Sequence, residues 1–169
     1  MLENNLIAEL AKTFALRIIS LAQYLLEEHK YDFVLQVLVK QVTRSGTSIG
    51  ANIFESKNAQ SRADFINKLN IALKEADETK YWLTLLHESR YLSDKEFVSI
   101  VNDNNIIIGI LVRIIKTTRK NEKMKMEKMK NRKTKGMRKM KSKQHLLFPQ
   151  YFIFSLFHYF IISIFQFYK

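Results

Sequence analysis

The sequence predicts an all-α chain, an antiparallel up-and-down four-helix bundle followed by a C-terminal tail of different character. Three observations lead there. Apolar residues recur at intervals of three and four over most of residues 5–119, the spacing of one helix face. Proline occurs once and glycine four times in 169 residues, too few punctuating residues for a sheet rich in turns. Two Ser-x-x-acid sequences, Ser61 to Asp64 and Ser93 to Glu96, precede apolar runs, as capping boxes do at helix starts.

The first helix is expected near 5–29, with Ile7, Leu10, Phe14, Ile18, Leu21 and Leu25 facing inward. Lys30 to Asp32 break it. The second runs near 33–59, with Leu35, Leu38, Val42, Ile49 and Ile53 on its buried side. Val34, Val37, Val39 and Val42 weaken the helical preference there, and a short strand is the alternative. The third, near 62–90, carries Phe65, Leu69, Ala72, Ala76, Leu83 and Leu86. The fourth, near 94–118, carries Phe97, Val101, Ile108, Leu111 and Ile115. Connections this short between helices imply antiparallel neighbours.

The net charge of +12 divides unevenly. Residues 1–119 hold 15 Lys/Arg against 14 Asp/Glu, whereas 120–143 hold 12 against 2. The bundle is nearly neutral, so a high isoelectric point says nothing of nucleic-acid binding by that part. Cysteine is absent, which excludes disulfides and thiolate chemistry and fits a reducing compartment. The opening M-L-E-N-N-L-I-A-E-L lacks the basic start of a secretory signal and reads as a helix start. A cytoplasmic location is expected, with membrane association through the C-terminal segment as the alternative.

Three segments follow: a bundle over 1–119, a lysine- and methionine-rich tail over 120–145, and an apolar, aromatic-rich end over 146–169. The basic tail reads as having no apolar stripe to bury and is expected to be disordered or loosely helical. Its cations Lys120, Lys123, Lys125, Lys128, Lys130, Arg132, Lys133, Lys135, Arg138 and Lys139 suit RNA or DNA phosphates through counterion release. They equally suit an anionic membrane surface. Residues 151–168 are an uncharged run at the short edge of a membrane span. The composition of 120–169 is also what an AT-rich region read past a lost stop codon would encode.

Within the bundle, R-S-G-T-S-I-G-A-N-I-F-E at 44–55 stands out. Gly46 and Gly50 are four apart on one stripe, where a neighbouring backbone comes close. Arg44, Ser48, Asn52 and Glu55 share a second, polar stripe. With Glu78 this stripe reads as a buried, salt-bridged seam between helices that fixes their register. Against catalysis, no His, Cys or Ser–base pairing accompanies it, and Ser48 has no histidine a turn away. His29 and His87 stand alone, so no metal site is expected. Trp82 beside Tyr81 could stack on bases, though its apolar helix favours a core or interface role. No catalytic residue and no cofactor is expected.

Several blocks together resemble a known family: F-A-L-R-I at 14–18, R-S-G-T-S-I-G-A-N-I at 44–53, S-R-A-D-F at 61–65, K-L-N-I-A-L-K-E-A-D-E-T-K-Y-W-L-T-L-L at 68–86 and I-I-K-T-T at 114–118. These are similar to the small "four helix bundle protein" family, also described as large-subunit rRNA intervening-sequence proteins. The resemblance implies a left-handed antiparallel bundle without known enzymatic activity. It implies homo-oligomeric rings, commonly of five. Some relatives are encoded within rRNA intervening sequences, and others accompany reverse transcriptases and bind nucleic acid. Arg44, Ser48, Asn52 and Glu55 match the family's polar stripe, and Glu78 its acidic position on the third helix. The tail from Lys120 lies outside the family pattern. Two functions are therefore carried forward. One is a non-enzymatic oligomeric scaffold or adaptor that binds nucleic acid or a nucleoprotein partner. The other is an interaction module tethered to membrane by residues 151–168.

Overall fold

The computed structural model describes the backbone of residues 2–167 and the side chains of 5–138 and 140. Four helices follow one another: α1 Leu2–Glu28, α2 Phe33–Ser56, α3 Arg62–Glu88 and α4 Asp94–Phe167. The described residues contain no strand. The valines of α2 are helical because Leu35, Val39 and Val42 bury on one face, and packing overrides local propensity. Residues 1–119 and 120–169 form two separate compact units.

Each connection has its own chemistry. Asp32 caps α2, its Oδ1 accepting from the Leu35 amide at 3.0 Å. Ser61 caps α3 by accepting from the Asp64 amide at 3.1 Å, and Asp64 reaches back to accept from the Gln60 amide. At α4 the reciprocal box is complete. The Ser93 amide donates to Glu96 at 2.9 Å, and the Glu96 amide to Ser93 Oγ at 3.4 Å. α3 ends in a Schellman turn: the Tyr91 amide donates to the Leu86 carbonyl and the Arg90 amide to that of His87, both at 2.9 Å. Arg90 takes the left-handed position of this motif, with φ of 65°.

The core of the first unit is a continuous set of buried apolar side chains from all four helices. Ile7, Ala11, Phe14, Ile18 and Leu25 come from α1, and Leu69, Ala72, Ala76, Leu83 and Leu86 from α3. In α4 the buried set is Ile100, Val101, Ile107, Leu111, Ile114 and Ile115. Ile108 and Phe97, expected along the apolar face of this helix, are half-buried. The run Ile106-Ile107-Ile108 satisfies either helical phase, and the contacts select Ile107. By length and composition α4 passes for a membrane span within Asp94–Arg138, but these core residues account for its apolar character.

Register is visible in single contacts. Gly46 lies against Ile18 and Gly50 against Ala11, so later residues of α1 meet earlier ones of α2. Between α2 and α3, Arg44 meets Glu78 and Glu55 meets Lys68. α4 does not stop near residue 118. It stays helical through the basic segment to Phe167, because Lys, Met, Glu and Arg are all strong helix formers.

Candidate functional site

The polar stripe on α2 forms, but at the surface. Arg44 pairs with Glu78 and is 56% exposed, Glu78 34%. Glu78 also accepts from Trp82 Nε1 at 3.2 Å. Glu55, 56% exposed, pairs with Lys68 and holds the lysine above its ordinary pKa through that hydrogen bond. Asn52 does not cross to α3; its Nδ2 donates to the Ser48 carbonyl of its own helix at 2.9 Å. The expected buried, salt-bridged seam is therefore a half-exposed ladder along the α2–α3 boundary. The physical reason is the helix phase. Ser45, Ile49, Ile53 and Ser56 point inward, and the stripe one residue behind them rides at the rim.

The polar contacts that are buried lie elsewhere. Thr79 Oγ1 donates to Ser45 Oγ at 3.0 Å inside the α2–α3 interface. Asn104 of α4, fully buried, donates from Nδ2 to the Ala76 carbonyl at 2.8 Å. Glu75 has a buried Oε2, and Asn104 a buried Oδ1, without a hydrogen-bond partner. None of these positions was singled out by sequence reasoning. A serine, a threonine and an asparagine each falling at a core phase of its helix was the signal available.

The two glycines differ. A Cβ on Gly46 would come within 2.9 Å of Ile18 Cγ1, whereas one on Gly50 would meet Ala11 at an ordinary 3.7 Å. The close approach belongs to Gly46. Tyr81 and Trp82 contact each other edge to face at 5.0 Å, with Tyr81 exposed and Trp82 half-buried against the core. His29 packs edge-on against Tyr91 at 5.4 Å. His87 stacks on Phe97 at 4.3 Å and approaches Asp94 through Nε2 at 2.7 Å. Among the described residues no three His, Cys, Asp or Glu side chains converge as a metal site would require.

Arg17 of α1 pairs with Asp103 and donates to Ser99 Oγ at 3.0 Å, tying α1 to α4. Beside it opens a groove of about 490 Å³ lined by Leu21, Leu92, Ser93, Glu96 and Ile100. Lys95 lines it as well, and two of its charged groups are engaged internally, Arg17 by Asp103 and Glu96 by Ser93. The Ser93 hydroxyl and amide hold the Glu96 carboxyl below its ordinary pKa.

In the second unit, Lys120, Lys123, Lys125, Lys128, Lys130, Arg132, Lys133, Lys135 and Arg138 are all exposed on α4. The Lys139 side chain and those of 151–168 lie outside the described residues. A stripe missed in the sequence is present here. Met126, Met129, Met137 and Met140 stand at helical spacing on one face, all exposed.

The first unit is thus defined as a small all-helical bundle, with an apolar core and a polar α2–α3 rim. Over residues 3–113 the chain matches the model of the family described as 23S rRNA-intervening sequence protein, and it belongs to that family. A similar solved structure is the crystal structure of a protein of unknown function from the S23 ribosomal protein family of Bacteroides thetaiotaomicron. It is 50% identical, with a TM-score of 0.63, and the match covers 68% of this chain and 98% of that one. A search of curated proteins returns no match.

Proposed function

We propose that the protein is a non-enzymatic, homo-oligomeric helical scaffold whose assembled bundles bind nucleic acid or a nucleoprotein partner. The observation that carries the assembly is a set of large apolar side chains left in water on a bundle whose core is already filled. On α1, Leu16, Ile19 and Leu26 fall on one outer face, and on α2 Phe33, Val34 and Val37 are exposed as well. Apolar surface of this kind on a packed domain marks an interface. Five subunits is the number that the family resemblance suggests.

The near-neutral charge of residues 1–119 favours a partner met through shape and apolar contact over one held by phosphates alone. Family membership supports a setting close to rRNA. Sedimentation of a 1–119 fragment and of the whole chain tests the assembly, and a monomer at tens of micromolar would refute it. RNA and DNA titrations over a range of salt on both proteins test the partner. Binding by the whole chain alone would assign any nucleic-acid contact to the tail and remove it from the bundle.

A further inference from the structure

The second unit carries a pattern that nucleic-acid binding does not call for. At roughly 100° per residue, Met126, Met129, Met137 and Met140 fall within an arc of about 80°. These four side chains are between 59% and 73% exposed. Over residues 120–140 two charged residues fall inside the arc, Glu122 ahead of the first of these methionines and Lys133 in their midst. The long stem of Lys133 can lie along the methionines while the ammonium reaches back to water. Lys123 and Lys130 border the stripe on one side, and Lys125 and Arg132 on the other. Outside the arc the charged surface is almost entirely cationic, with 9 Lys/Arg against the single Glu127 over residues 120–140.

A phosphate backbone needs only the cations, and would leave four methionines in water. An anionic bilayer uses both halves of the helix. Interfacial helices lie in the plane of the membrane, with a narrow apolar face at the acyl boundary and Lys/Arg among the headgroups. Methionine suits such a surface because its unbranched thioether adapts to an irregular environment. Among the described residues nothing lies within 4 Å of where a Cβ on Gly136 would stand.

We propose that residues 120–140 are a membrane-surface helix that docks on anionic lipid, Met126, Met129, Met137 and Met140 entering the headgroup boundary. This stands apart from the scaffold reading, since it concerns the other unit and either can fail alone. The chemistry recognised is a lipid phosphate beside an accessible acyl region.

The test uses the full-length chain in flotation with vesicles of phosphatidylcholine alone or mixed with phosphatidylglycerol. The apolar end at 146–169 is the same in every variant, so the quantity read is the ratio of anionic to neutral binding. The expected ratio is well above one and falls with added salt. Replacing the four methionines by serine, with every charge retained, should lower binding to anionic vesicles by about tenfold or more. Replacing them by leucine should preserve it. All four are exposed, and circular dichroism of each variant verifies that its helix content matches the parent's. A serine variant that binds like the parent overturns the proposal, because the cations alone would then suffice. Equal binding to both vesicle types overturns it too. So does a chain that ignores vesicles yet binds single-stranded RNA, which would make this helix a nucleic-acid surface.

Discussion

The Cβ that Gly46 lacks would stand 2.9 Å from Ile18 Cγ1 and 3.1 Å from its Cγ2. Ile18 is fully buried and β-branched, so it has no spare rotamer to move into. Gly46→Ala gains helix propensity of about 1 kcal/mol but overpacks α1 against α2 at a cost of about 1–3 kcal/mol. Net destabilisation is expected. Gly50→Ala has the same propensity gain and meets Ala11 at 3.7 Å, an ordinary contact, so it should be neutral or stabilising. Urea melts of the two variants give opposite signs if the close crossing is at Gly46, and equal effects would refute it.

Arg44 and Glu78 form a half-exposed pair. A buried pair broken at one partner costs about 3–5 kcal/mol, an exposed one under about 1 kcal/mol. Arg44→Ala is therefore expected to lower stability by less than about 1 kcal/mol, and high salt should shrink the difference further. A loss of several kcal/mol would restore the buried seam read from the sequence.

Much of the first unit was legible because its helices are periodic and their starts carry side-chain signals. Ile7, Phe14, Ile18 and Leu25 fell on the expected face, and both serine boxes formed as their spacing implied. What failed was phase. Arg44, Ser48, Asn52 and Glu55 do share a stripe, but a stripe has no depth until its neighbours are placed. Depth was decided by Ser45, small enough to let Thr79 approach within hydrogen-bonding distance. The Asp32 cap was read only as a break, since its acceptor role depends on where Leu35 and Tyr91 stand. In the tail, a heavy lysine count hid four methionines at helical spacing.

Arg90 occupies the left-handed position that closes α3, with φ of 65°. A residue with a Cβ is strained there by about 1–2 kcal/mol, and glycine gives back part of that gain as chain entropy, about 0.5–1 kcal/mol. Arg90→Gly should stabilise the chain by about 0.5–1 kcal/mol, raising its melting temperature. An unchanged or lower melting temperature would show that the arginine makes a compensating contact.

Asp32 joins the start of α2 to the loop after α3, and that makes its charge readable in the acid limb of stability. Its Oδ1 accepts from the Leu35 amide and its Oδ2 from the Tyr91 hydroxyl at 2.6 Å. The Leu35 amide first, then Tyr91, hold the carboxyl below its ordinary value of 3.8. Asp32 in turn pushes the Tyr91 hydroxyl up. A carboxyl depressed by folding adds stability above its unfolded pKa, and that stability is lost as pH falls through the lower folded value. Asp32→Asn keeps an acceptor for the α2 cap but has no proton to take up. The variant should melt below the parent at neutral pH, and the gap should begin to narrow as the pH drops below about 3.8 and close only below the lower folded value. Glu96, also depressed, is common to both proteins and cancels in the difference. Tyr91→Phe removes one of the two donors, so its gap to the parent should narrow over the same range. Melting temperatures taken from neutral to strongly acid pH decide the matter: a gap between parent and Asp32→Asn that stays constant would mean the carboxylate's charge contributes nothing to holding α2 against the α3–α4 loop.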